Sequence, residues 1–272
     1  MKKIIACILM LLLILFLLNG CSDANTDKNK LIVFAASSMY DSLNEIKNLY
    51  EEKHQDVEIV YNFDSSGTLK TVIEQGADCD VFISASQKPM DQLDVTANLD
   101  SDNDKLDFIL TDSRINLLEN KVVLAVSSNS KGEIESFDDV AYKLKKGDIF
   151  MAIGNSDVPA GEYAYSILNY YGISTQELDK NSLVTYGSNA KEVTTYVSQG
   201  VVDCGIVYQT DARTAGLTVV DSATINMCGR VIYPAAVINT SKNVKYAKSF
   251  LDFLTTQEAQ IIFEKFGFTV IE

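Results

Sequence analysis

Short apolar runs alternate with amphipathic stretches along most of the chain. Residues 31–36, 57–63, 80–84, 122–127, 149–153, 183–186 and 205–208 are rich in Val, Ile, Phe and Tyr and read as strands. Between several of them lie helical patterns. Residues 38–54 carry Leu43, Ile46, Leu49 and Tyr50 at helical spacing, and 163–171 and 191–199 repeat the theme. This rhythm predicts an α/β fold with mostly parallel sheets flanked by helices, in which ligands sit outside the carboxyl ends of the strands. The rhythm breaks near the end. A strand-like run at 230–239 is followed by two consecutive helical patterns, Val244–Leu254 and Gln257–Phe266, which would pack back on the first part of the chain.

The first twenty residues stand apart. Lys2 and Lys3 precede an unbroken apolar run from Ile4 to Leu18, short for a membrane span of about 20 residues. Leu18-Asn19-Gly20-Cys21 resembles a bacterial lipobox, in which Cys21 would become the lipidated N-terminus. The alternative is an uncleaved N-terminal anchor. Either reading puts the rest of the chain outside the cytoplasm, held to the membrane, with the polar stretch 21–30 as a tether. Loss of Lys2 and Lys3 takes the formal charge from −14 to −16. So acidic a surface argues against nucleic acid and anionic lipid as partners. It also repels small anions at long range, so any anion site must work through local donors.

The remaining cysteines, Cys79, Cys204 and Cys228, are odd in number and lack a CxxC spacing. They do not form a disulfide framework; Cys79 and Cys204 read as small core residues, with one disulfide among the three left open. His54, the sole histidine, ends a helical pattern and reads as exposed, which excludes multi-His zinc sites and argues against a Ser-His-Asp hydrolase. Asp100-Ser101-Asp102-Asn103-Asp104 starts like a calcium loop, but Lys105 and Thr111 occupy the positions that need Gly and Glu, so it reads as a solvated acidic loop. No nucleophile elbow, P-loop or dinucleotide fingerprint occurs. The chain is expected not to be an enzyme and to carry no cofactor. A Ser-dependent hydrolase using Ser38 or Ser66 is the distant alternative, and a sensor that binds an anion and signals is another.

Four strand-to-helix junctions carry the candidate chemistry: Val33-Phe34-Ala35-Ala36-Ser37-Ser38, Tyr61-Asn62-Phe63-Asp64-Ser65-Ser66-Gly67, Pro159-Ala160-Gly161 and Gly187-Ser188-Asn189-Ala190. A helix start exposes unpaired N–H groups at the positive end of the macrodipole, which suits an anion. Ser38 and Ser66 can be plain helix caps or ligand donors. Gly67 permits close backbone approach. Tyr208 ends a buried-looking strand and is either a core aromatic with its tip in water or a hydroxyl donor. None of the three arginines, Arg114, Arg213 and Arg230, falls in these junctions.

Taken in order, these segments resemble the periplasmic molybdate-binding proteins of ABC importers, within the type II solute-binding fold. The resemblance runs from about Leu31 to Ile271 and includes Asp80-Val81-Phe82-Ile83-Ser84-Ala85, Val158-Pro159-Ala160-Gly161-Glu162-Tyr163-Ala164, Gly205-Ile206-Val207-Tyr208 and Phe263-Glu264-Lys265-Phe266-Gly267-Phe268. It implies two hinged α/β lobes, 31–118 plus 234–272 and 119–233, with an oxyanion buried between them. It also implies that Ser38, Ser66, Ala160, Ala190 and Tyr208 hold the oxyanion. The serines and the tyrosine would donate from hydroxyls, the alanines from backbone N–H groups. Molybdenum would be met only through the oxygens of molybdate, with tungstate as a second ligand and no direct protein–metal bond. Receptors for sulfate or another tetrahedral oxyanion share the scaffold and are the alternative. The expected partners are the oxyanion and an ABC permease, with the protein monomeric and lipid-anchored through Cys21.

Overall fold

The computed structural model describes residues 28–97, 106–128 and 133–271. The signal segment, Cys21 and the acidic loop at 100–104 lie outside the described residues.

The chain builds two sheets. The first contains β1 (Asn29–Ala36), β2 (Val57–Asp64), β3 (Val81–Ile83), β4 (Ile115–Asn120), β10 (Val231–Val237) and β11 (Thr269–Val270), in the order β11-β4-β10-β3-β1-β2. The second contains β5 (Val122–Val126), β6 (Met151–Gly154), β7 (Val184–Gly187), β8 (Cys204–Tyr208) and β9 (Thr218–Ser222), in the order β7-β6-β8-β5-β9. The chain leaves the first sheet at Lys121, between β4 and β5, and returns between β9 and β10. The divisions expected after Leu118 and Tyr233 fall inside β4 and β10.

Parallel pairing holds where helices connect the strands, in β2-β1-β3 and β7-β6-β8. The strands next to the crossings pair antiparallel: β10 with β3 and β4, and β5 with β8 and β9. Both sheets are therefore mixed rather than mostly parallel. The reason is connectivity. A strand that carries the chain directly into the other sheet has no helical return and so need not run parallel to its neighbours.

Alternating strand residues bury both faces of each sheet. In the first, Val33 and Ala35 pack with Leu43, Ile46 and Phe250 from α1 (Tyr40–Lys53) and α10 (Val244–Leu254). Phe34 and Phe82 pack on the opposite face with Leu69 and Ile73 of α2 (Ser66–Glu74) and Met90 of α3 (Gln87–Leu93). In the second, Val123, Ala125 and Val207 meet Val193 and Val197 of α7 (Ala190–Ser198). Leu124, Ile153 and Ile206 meet α4 (Phe137–Lys146) and α5 (Pro159–Tyr170) on the other face. Burial on both faces explains why these strands read as continuous apolar runs. The short helices α6 (Thr175–Lys180), α8 (Gln209–Thr214) and α9 (Ile225–Cys228) complete the second lobe, and α11 (Gln257–Phe266) packs back against α1 of the first.

Cys79, Cys204 and Cys228 are free, the first two buried as core residues. His54 caps the end of α1 and is half-buried rather than exposed, its ring stacked on Tyr50 at a centroid separation of 4.1 Å.

Candidate functional site

The carboxyl ends of β1, β2, β6, β7 and β8 face one interlobe cavity. Ser38, Ser66, Ala160, Ala190 and Tyr208 all line it, with Ser65, Ala85 and Val158 among their neighbours. The cavity measures about 10 Å³, room for about one water molecule. The lobes are closed on each other around it.

Neither serine is a plain cap. After β1 the chain makes a single 3-10 turn, Ser37–Met39, before α1, with no side-chain cap. Ser38 Oγ instead lies 2.9 Å from Tyr233 Oη, a hydroxyl on β10. At the second junction Ser65 does the capping: its Oγ accepts the Thr68 N–H at 3.1 Å. Ser66 is the first residue of α2 and is fully buried. Its Oγ accepts the Ala85 N–H at 2.9 Å, which leaves the Ser66 proton for another acceptor. Asp64 lines the cavity too, with Oδ1 held by the Ser65 N–H at 2.7 Å.

The second lobe presents backbone donors. Val158 precedes α5 and cannot cap it with its side chain; Pro159 at the first helical position has no N–H. The N–H groups of Gly161 and Glu162 both turn to the Val158 carbonyl. The Ala160 N–H is thus left to the cavity. Gly161 makes this junction possible: a Cβ there would stand 1.9 Å from the Asn155 carbonyl oxygen. At α7, Asn189 caps with its Oδ1 on the Glu192 N–H and its carbonyl on the Val193 N–H, so the N–H of Ala190, the first helical residue, is unclaimed.

Tyr208 closes the ring of donors. It is 1% exposed, and among the described residues its hydroxyl has no hydrogen-bond partner. Its tip is therefore not in water, as an ordinary core tyrosine's would be. Burial first, then neighbouring Tyr233, pushes its acid well above the usual tyrosine value. It carries its proton at any physiological pH and can only be satisfied here by a buried acceptor. Tyr163 and Tyr233 hold the ring edge-on at 6.2 and 5.8 Å.

Among the described residues, no cationic side chain lines the cavity. Arg114 lies in a separate depression of about 460 Å³ on the first lobe, where Asp91, Asp94 and Gln87 take up its guanidinium. Arg230 forms a two-point pair with Glu119. Lys191, next to Ala190, reaches across the lobes to Asp41 at 3.2 Å and over the Tyr40 ring at 4.1 Å. A second cross-lobe ion pair joins Lys88 to Glu162.

Sequence reading missed three contributors: Tyr233, Asn120 and the Ala85 N–H. Tyr233 lay in a recognised strand run, but nothing local marks its partner. Asn120 Nδ2 donates to Tyr233 Oη at 3.1 Å and to Thr210 Oγ1 at 2.9 Å, contacts 113 and 90 residues distant in sequence.

Residues 31–269 match the family of bacterial extracellular solute-binding proteins. The chain is 35% identical over 260 residues to YvgL of Bacillus subtilis (strain 168), named as a candidate ABC transporter substrate-binding lipoprotein, with 93% of each chain covered. It is 32% identical over 253 residues to the molybdate-binding protein ModA of Escherichia coli (strain K12), covering 91% of this chain and 92% of that one. Among solved structures, the substrate-binding domain of a candidate molybdenum ABC transporter from Clostridium difficile is similar at a TM-score of 0.64 and 31% identity, covering 89% of this chain and 99% of that one. The chain belongs to the bacterial extracellular solute-binding protein family and is the substrate-binding protein of an ABC transporter.

Proposed function

We propose that the protein captures molybdate, and tungstate in its place, between its two lobes and delivers it to an ABC permease. One observation carries the reading: two serine hydroxyls, two helix-start N–H groups and an unpartnered tyrosine hydroxyl converge on one small cavity that has no cationic side chain. Donors of this kind suit a fully deprotonated, compact oxyanion. Each hydrogen bond to a charged group is worth about 1.5–3 kcal/mol, against the dehydration of a dianion. A micromolar dissociation constant needs only about 8 kcal/mol net, which is within the range that five such donors can supply. The names of the Escherichia coli and Clostridium difficile relatives support molybdenum as the central atom.

In the same reading the protein works as a binder and not as a catalyst. No histidine lies at either serine to take a proton, since His54 is stacked on Tyr50 at the far end of α1. Cys21 carries the lipid that holds the protein at the outer face of the membrane, and the YvgL relative's name as a lipoprotein supports this. The lobes then divide close to the expected bounds, 31–118 with 234–272 and 119–233, with the hinge a few residues away at the two chain crossings, Lys121 and the segment between β9 and β10.

Calorimetric titration tests the assignment. Molybdate and tungstate should each give a one-to-one isotherm. Saturation by sulfate with no heat from molybdate or tungstate would replace the assignment with a sulfate receptor on the same scaffold.

A further inference from the structure

We propose that Tyr233 and Asn120 are positioning residues of the anion site, which together fix the Ser38 hydroxyl as a donor toward the cavity. The inference rests on the oxyanion reading above and concerns the direction in which the Ser38 hydroxyl donates.

The direction of each proton follows from the group at the base of the chain. Asn120 is the last residue of β4, next to the crossing at Lys121. Its Oδ1 accepts the Lys121 N–H at 2.8 Å, so its amide nitrogen faces Thr210 and Tyr233. An amide NH2 only donates. Tyr233 Oη therefore accepts from Asn120 at 3.1 Å, and its own proton is left for Ser38 Oγ at 2.9 Å. Burial keeps Tyr233 protonated, its acid lying well above the usual tyrosine value. Ser38 Oγ accepts that proton, and the serine's own proton turns to the cavity it lines. Asn120, Tyr233 and Ser38 are all buried, so no bulk water competes for these groups.

The same polarity is imposed on Ser66 by a backbone group, the Ala85 N–H. Each serine thus has an acceptor site filled by the protein. Each keeps one further lone pair and one proton for a ligand. An anion that bears a proton, such as hydrogen phosphate, finds fewer free acceptors among these hydroxyls than it would at unpinned serines. The chain also ties the site to the hinge: Asn120 belongs to the first sheet, while Thr210, bonded to the same amide at 2.9 Å, follows β8 of the second.

The test is a double-mutant cycle on the full mature chain with Ser38→Ala and Tyr233→Phe, read by calorimetry with molybdate, tungstate and hydrogen phosphate. Tyr233→Phe should weaken molybdate roughly three- to tenfold, the net worth of one hydrogen bond. In the Ser38→Ala background the same substitution should cost less than about twofold, because the residue acts through Ser38. The affinity ratio of hydrogen phosphate to molybdate should rise in Tyr233→Phe, a change that general loosening of the fold would not select. Equal costs in both backgrounds, or an unchanged ratio, would overturn the inference. Should Tyr233→Phe fail to fold, Asn120→Ala replaces it in the same cycle with the same expectations. A wild-type protein that binds none of these anions would instead remove the oxyanion reading itself, and the inference with it.

Discussion

Gly67 of the first lobe packs against the carbonyl oxygen of Asp157 in the second, so closely that a Cβ at Gly67 would stand 2.3 Å from that oxygen. The contact joins the two lobes backbone to backbone beside the cavity. It needs a residue without a side chain, because the obstacle is backbone and cannot swing away.

Gly67→Ala should therefore prop the lobes apart while leaving the first lobe sound. The position lies in the first turn of α2, where Ala is if anything the better helix former. Molybdate affinity should fall by tenfold or more, with the thermal midpoint of the unliganded protein unchanged or slightly raised. An affinity equal to wild type would show that the closed contact between Gly67 and Asp157 is not needed to hold the anion.

Adjacent serines should differ in their effect on binding, although each also holds a backbone N–H. Ser66→Ala removes a proposed donor to the dianion and should weaken molybdate by about 1.5–3 kcal/mol. Ser65→Ala removes the N-cap of α2 and should cost about 1 kcal/mol of stability. Its effect on affinity should be the smaller of the two. Denaturant melts and calorimetric titrations of both variants check the contrast; loss of affinity that tracks loss of stability in both would leave Ser66 as a structural residue.

Much of this arrangement was legible in the sequence, and the limits have a physical pattern. The helices Val244–Leu254 and Gln257–Phe266 follow from apolar spacing, and the structure has the same bounds. The strands buried on both faces follow from continuous apolar runs. The strands β4 and β9, and the two-residue β11, were not recognised. Ile115–Asn120 mixes apolar and polar residues, and Thr218–Ser222 is a half-exposed edge strand. At the site, junction chemistry marked the segments that hold Ser38, Ser66, Ala160 and Ala190, because small residues at helix starts have a local cause, whereas Tyr208 and the choice of each donor followed only from the family resemblance. The choice of Ser65 over Ser66 as the cap depends on one residue of register, which the run Asp64-Ser65-Ser66-Gly67 does not fix. Asn120 and Tyr233 had no local signal at all. Their roles arise from contacts between distant strands, and a buried Asn reads in sequence as any other polar residue.

The cross-lobe ion pairs should tune closure weakly. Lys191 and Asp41 are each about one-third exposed at 39% and 33%, so screening limits the pair to about 0.2–1 kcal/mol. Lys191 also lies over the Tyr40 ring, which adds a cation–π contribution. Lys191→Ala should weaken molybdate by roughly two- to fivefold at low salt, and the gap to wild type should narrow at 0.5 M salt. A gap that does not change with salt would assign the loss to packing rather than charge.

Asp211 should make stability depend on pH in a direction opposite to most carboxylates. It lies in the first turn of α8, 4% exposed, with Oδ2 unpartnered. Burial is the main cause that pushes its acid up to about 7; Asp41 adds to the rise, while Lys191 opposes it. An unfolded Asp titrates near 3.9. Between about 4 and 7 the folded protein holds a proton that the unfolded chain has released. The contribution is thus fully present below the unfolded value and is lost as pH rises through the folded one. Asp211→Asn keeps a carbonyl acceptor and cannot ionise, so it should remove this loss. Its thermal midpoint relative to wild type should be higher at pH 8 than at pH 5. The full swing is bounded by a shift of about three units, on the order of 4 kcal/mol. Any fixed cost of burying the amide offsets both conditions equally, so the pH dependence carries the result. A midpoint difference that is the same at pH 5 and pH 8 would mean that Asp211 is ionised in the folded protein across that range, with Lys191 as its effective counter-charge.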